Sequence, residues 1–135
     1  MPDRALVLDS FALLAIFLRE PSGPYVIRML EDASPDQEIS ISVVNLGEVF
    51  YRLENVSAGL TTAQALSSVR AWPVIVTPVD EGLALAAAAI RAERRMGYLD
   101  CFVVALAQAR GATVVTGDPD FRRVEDLVRI EWLER

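Results

Sequence analysis

Short apolar runs alternate along the chain with longer stretches of helical periodicity. Arg4 to Leu8 is an apolar run closed by Asp9-Ser10. It predicts a buried strand and then a helix start, because Asp and Ser side chains cap helix N-termini. Phe11 to Leu18 continues as a buried helix, Glu20 to Pro24 is a turn, and Tyr25 to Ala33 is an amphipathic helix closed by Ser34-Pro35-Asp36. Ile39 to Val43 is alternating and β-branched, which predicts a strand. From Asn45 to Leu53 the period changes: Leu46, Val49, Phe50 and Leu53 fall on one helical face. A further helix runs from Thr61-Thr62, after Gly59, to about Trp72, where Pro73 ends it; Val74-Ile75-Val76 is the next strand. Asp80 caps a long Ala-rich helix ending near Met96-Gly97. Asp100 opens another helix, Cys101 to Arg110, with Gly111 as its C-terminal glycine. Thr113 to Val115 is a strand, Gly117 to Asp120 a turn, and Val128 to Ile130 an edge strand.

Strands that alternate with helices in this way predict an α/β domain over residues 1–135, with a central parallel sheet of four to five strands covered on both faces. Ligands of open α/β sheets bind beyond the C-terminal ends of the strands. The residues at those ends are therefore the ones to weigh: Asp9 after the first strand, Glu48 one helical turn after the second, Asp80 after the third and Asp118 after the fourth.

Composition narrows the chemistry. The 135 residues are 53% hydrophobic and contain no histidine and one cysteine, Cys101. Histidine-based acid–base catalysis, Ser-His-Asp and Cys-His nucleophiles, His-ligated zinc and intrachain disulfides are thereby excluded. Any metal should be a hard, oxygen-seeking ion such as Mg²⁺ or Mn²⁺. All 13 basic residues are arginine, against 19 acidic ones, for a net charge of −6. That balance argues against a polybasic nucleic-acid binder, but it allows an enzyme that meets phosphates through metal ions and a few arginines. Apolar runs are too short to span a bilayer, and the start Met1-Pro2-Asp3-Arg4 lacks the form of a secretory signal, so a cytoplasmic location is expected.

Each acidic candidate has an ordinary structural role beside the functional one. Asp9 can be a helix N-cap. Glu48 shares a helix face with Asn45, Arg52 and Asn55, and can form a solvated i, i+4 pair with Arg52. Asp100, in the apolar stretch Tyr98 to Ala107, is either a cap or a buried group in need of a partner. Asp118 and Asp120, in Gly117-Asp118-Pro119-Asp120, can be turn residues. Asp80-Glu81 serves as the control, read as a cap alone. Together the set says more. Several carboxylates at one sheet edge repel one another, and a shared divalent cation removes that penalty. Such an ion also polarises a phosphate and lowers the pKa of an attacking water, a recurring arrangement for phosphodiester hydrolysis.

Val7-Leu8-Asp9-Ser10, Asn45-Leu46-Gly47-Glu48-Val49, Leu99-Asp100-Cys101-Phe102-Val103-Val104-Ala105 and Val115-Thr116-Gly117-Asp118-Pro119-Asp120-Phe121 occur in this order over nearly the whole chain. The ordered set resembles the PIN-domain ribonucleases, in particular the VapC-type toxins of toxin–antitoxin pairs. The resemblance implies a three-layer α/β/α sandwich. It implies that Asp9, Glu48, Asp100 and Asp118 bind one or two Mg²⁺ or Mn²⁺ ions, with Asp120 as an additional acidic position and Ser10 and Thr116 as supporting hydroxyls. It implies an endoribonuclease that leaves 5′-phosphate and 3′-hydroxyl ends, is held inactive by a small antitoxin, and forms a homodimer or a toxin–antitoxin hetero-oligomer. Cys101 departs from the small residue common after the third acidic position. Arg19, Arg52, Arg91, Arg94, Arg95, Arg122 and Arg123 are candidates for phosphate contact, with Arg94 and Arg95 foremost for RNA because they precede Asp100. Two other readings stand beside this one. A non-catalytic PIN-like interaction module would not bind Mn²⁺. A receiver-type phosphoacceptor would need a lysine, which the chain lacks.

Overall fold

The fold, a computed structural model, describes residues 4–56 and 59–135; the reading of the first three residues lies outside the described ones. Five parallel strands form one sheet: β1 (Leu6–Leu8), β2 (Ile39–Ser42), β3 (Ile75–Thr77), β4 (Thr113–Thr116) and β5 (Ile130–Trp132), in the order β3-β2-β1-β4-β5. The helices are α1 (Ser10–Phe17), α2 (Gly23–Glu31), α3 (Val43–Glu54), α4 (Thr62–Ala71), α5 (Glu81–Arg94) and α6 (Tyr98–Arg110), with a 3-10 helix at Pro119–Val124.

Strand alternation divides the apolar residues between two cores. Leu6 and Leu8 of β1 and Val115 of β4 join Ile39 and Ile41 of β2 against α1 to α4. Val7 and Val114 point the other way, against α5, α6 and the 3-10 helix residues Phe121 and Val124. The expected α/β/α sandwich is the architecture found. Strand order reverses beside β1: the chain winds outward through β2 and β3, then crosses the sheet to place β4 on the other side of β1. This reversal opens a crevice between the C-terminal ends of β1 and β4.

Several boundaries differ from the sequence reading by a few residues; α2, for one, starts at Gly23, inside the expected turn. The α3 helix starts at Val43, directly after β2, because Ser42 accepts a hydrogen bond from the Asn45 N–H at 3.1 Å and caps the helix without a loop. The α5 helix ends at Arg94, where Arg95 takes the left-handed conformation (φ 59°). The α6 helix opens at Tyr98 behind Gly97, so Asp100 lies inside the first turn and is not the cap. The last strand lies two residues later than expected, with Glu131 and Trp132 pairing to Val115 and Thr116. The Asp80 cap of α5 is as expected: its carboxylate accepts from the Leu83 N–H at 2.8 Å.

Candidate functional site

Asp9 terminates β1 and caps α1, so the strand that ends in the crevice aims its carboxylate there. The group is almost fully buried, at 2% exposure. Oδ1 accepts from the Ser10 N–H at 2.7 Å, and Oδ2 accepts from the Thr116 hydroxyl at 2.7 Å. The same hydroxyl accepts from the Asp118 N–H at 3.1 Å, which joins the ends of β1 and β4. Asp118 in turn caps the 3-10 helix, accepting from the Asp120 N–H at 2.9 Å.

Glu48 reaches the same place from α3, and Asp100 from the first turn of α6. Asp9, Ser10, Glu48, Asp100 and Asp118 line one cleft of about 350 Å³, with Arg52 and Arg135 among its other walls. Asp120 extends the group outward: single carboxylate oxygens of Asp100, Asp118 and Asp120 lie within 4.8 Å of one another. The structure thus brings all five acidic candidates to one end of the sheet.

The electrostatics show the strain of that gathering. Burial raises the Asp9 carboxyl from 3.8 to about 6, aided by repulsion from Glu48 and Asp118 and opposed by the bonds from Thr116 and Ser10. Burial also raises Asp100 to about 7, with Asp9, Asp118, Glu48 and Asp120 each adding repulsion. Glu48 is only 4% exposed; Arg52 lies 2.9 Å from its Oε2, while its Oε1 is buried without a hydrogen-bond partner. The expected pair with Arg52 is present, but its acidic end is not solvated. An orphaned buried carboxylate oxygen among raised carboxyls, in an all-oxygen donor set, fits a hard divalent cation.

Arg94 and Arg95 do not line this cleft. The Arg94 guanidinium grips Asp126 with two bonds of 2.7 and 2.9 Å, and the Arg95 carbonyl accepts from Arg123 at 2.9 Å. Arg95 itself stands at the left-handed turn that ends α5. Arg52 and Arg135 are the arginines that line the cleft instead.

The PIN domain family model matches residues 6–127. The chain belongs to the PIN domain family. None of the curated proteins matches it, but solved structures share its fold. VapBC2 from Rickettsia felis, bound to a DNA fragment from their promoter, matches this PIN domain at a TM-score of 0.74 and 19% identity, covering 96% of this chain and 99% of that one. VapBC from Salmonella typhimurium, also bound to DNA, matches at 0.69 and 25%, covering 96% and 98%. VapC20 from Mycobacterium tuberculosis, a sarcin-ricin loop cleaving toxin, matches at 0.70 and 19%, covering 87% and 92%. Among the described residues, no helix of the PIN domain is long and apolar enough to cross a membrane.

Proposed function

We propose that this PIN domain is a divalent-metal-dependent endoribonuclease and the toxin of a toxin–antitoxin pair. The observation that carries the reading is the convergence of Asp9, Glu48, Asp100 and Asp118 on one cleft, with one buried Glu48 oxygen left without a donor. These four would hold Mg²⁺ or Mn²⁺, with Asp120 contributing from the rim. When bound, such an ion polarises the phosphodiester and lowers the pKa of the attacking water. Thr116 and Ser10 fix the Asp9 carboxylate through its two oxygens. Arg52, half exposed on the cleft wall, is placed to meet a phosphate beside the acidic group. Attack in line with the departing 3′ oxygen leaves a 5′-phosphate and a 3′-hydroxyl. The solved VapBC complexes support a small antitoxin as partner, and VapC20 supports RNA as substrate.

The test is cleavage-site mapping in total RNA with Mg²⁺ and with EDTA, using the wild-type protein, Asp9→Asn and Asp100→Asn. Cleavage should require the ion and vanish in both variants while circular dichroism stays unchanged. Undiminished cleavage in EDTA, or by both variants, would remove the reading.

A further inference from the structure

Asn45 is completely buried and carries no charge, and none of the roles assigned above uses it. Its position is nonetheless particular. It lies one turn before Glu48 on the same face of α3, since residues three apart are helical neighbours. Its Oδ1 accepts from the Ser42 hydroxyl at 2.5 Å, and its Nδ2 donates to the Leu99 carbonyl at 2.9 Å. Leu99 directly precedes Asp100 in the first turn of α6. One amide therefore ties the helix that carries Glu48 to the residue beside Asp100.

Helix capping does not require this bond. Ser42 already caps α3 through the Asn45 backbone N–H. At the start of α4 the same chain closes a full capping box: Thr61 accepts from the Gln64 N–H, and the Gln64 side chain returns to the Thr61 N–H at 2.8 Å. In α3 the corresponding side chain does not return to its cap's N–H. Ser42 is paired in the β2–β3 ladder, and the Asn45 amide reaches across to α6 instead. The Ser42 hydroxyl holds the carbonyl end of the amide, which leaves the donor end aimed at Leu99.

We propose that Asn45 is a positioning residue that fixes the separation of Glu48 and Asp100 for cation binding, with Ser42 orienting its amide. The proposal rests on the metal-dependent reading above. The two carboxylates repel, so a cross-link between their helices is needed most where a cation must find both at a set spacing. Partners that orient metal ligands from behind typically change metal affinity by about 10- to 100-fold when removed.

The experiment is Mn²⁺ titration calorimetry on the full chain, for wild type, Asn45→Leu, Ser42→Ala and, as a control, Thr61→Ala. Asn45→Leu preserves volume and removes both bonds; its Kd for Mn²⁺ should rise about 10-fold or more, with Ser42→Ala between it and wild type. Thr61→Ala should lower Tm and leave the Kd within about twofold, because its cap lies on α4. RNA cleavage by Asn45→Leu should recover toward wild type at saturating Mn²⁺, which a general loss of structure would not allow. A folded Asn45→Leu that binds Mn²⁺ as wild type does would overturn the positioning role and leave the nuclease reading intact. Should Asn45→Leu fail to fold, an unchanged Kd in Ser42→Ala is decisive in the same way. A wild-type protein that binds no Mn²⁺ overturns the metal-dependent reading itself, and this inference with it.

Discussion

Replacing Asp9 with Asn should make the cation-free protein more stable while abolishing its activity. The Asp9 carboxyl is raised from 3.8 to about 6, chiefly by burial. Two pKa units correspond to roughly 3 kcal/mol. The sign follows from the direction of the shift. The folded state holds this proton more tightly than the unfolded chain does, so the associated stability is fully present below the unfolded value, near 4. It is lost as pH rises through about 6. Asp100, raised to about 7, extends the declining window upward. Asn cannot ionise, yet it can keep the bond from the Ser10 N–H and offer its own N–H to the Thr116 hydroxyl.

The assay is urea denaturation of wild type and Asp9→Asn between pH 4.5 and 8, in EDTA. The variant's advantage should grow with pH and approach about 3 kcal/mol at pH 8, a Tm difference on the order of 10 °C. Adding Mn²⁺ should raise wild-type stability by mass action and leave the variant unmoved. A stability difference that stays flat or shrinks as pH rises would refute the claim that the buried Asp9 anion is held against a penalty.

Mn²⁺ affinity of the wild type should rise from pH 5.5 to 8, because the cation must displace protons from Asp9 and Asp100; calorimetry in two buffers of different ionisation enthalpy would count them. Arg52→Gln should raise KM for RNA several-fold with a smaller effect on kcat, read from cleavage of a short labelled RNA, since Arg52 lies on the cleft wall. Gly117→Ala would place a methyl group 2.5 Å from the Phe11 ring and 3.0 Å from the Leu133 carbonyl, so a loss of about 1–3 kcal/mol is expected in thermal melts. Asp80→Ala should cost about 1 kcal/mol through its lost cap and leave RNA cleavage unchanged.

Much of the fold was legible because β1, β2 and β4 are fully buried, so each appears as a short apolar or β-branched run between turn signals. The edge strands are less so. The β5 strand is partly exposed and includes Glu131 in its ladder, so the apolar Val128 just before it drew the expected boundary two residues early. The acidic candidates were legible because each follows a strand end or sits in the first turns of a neighbouring helix. The arginines were legible only in part: Arg52, one of the candidates, lines the cleft, and Arg94 and Arg95 do not. Arg94 stands six residues from Asp100 in sequence, but its guanidinium is captured by Asp126, 32 residues away, and no local pattern announces that pair. Asn45 had one visible signal, a polar residue on the Glu48 face. Its link to Leu99 spans 54 residues and needs the packing of α3 against α6 to exist.

Asp9 and Asp80 show what separates a candidate site residue from a cap. Both follow a parallel strand, both precede a helix, and both accept a backbone N–H at its start. Local sequence therefore gives them the same role. The difference comes from strand order. The β1 strand lies inside the sheet with β2 and β4 on either side, so Asp9 meets Thr116 and the acids that follow β4 and β2. The β3 strand lies at the edge, and Asp80 at its end does not line the acidic cleft. Asp80 remains exposed to solvent; Asp9 is buried among like charges, where ionisation carries a penalty. A strand-end carboxylate becomes a candidate metal ligand when the topology, and not its own neighbours in sequence, deprives it of water and surrounds it with others of its kind.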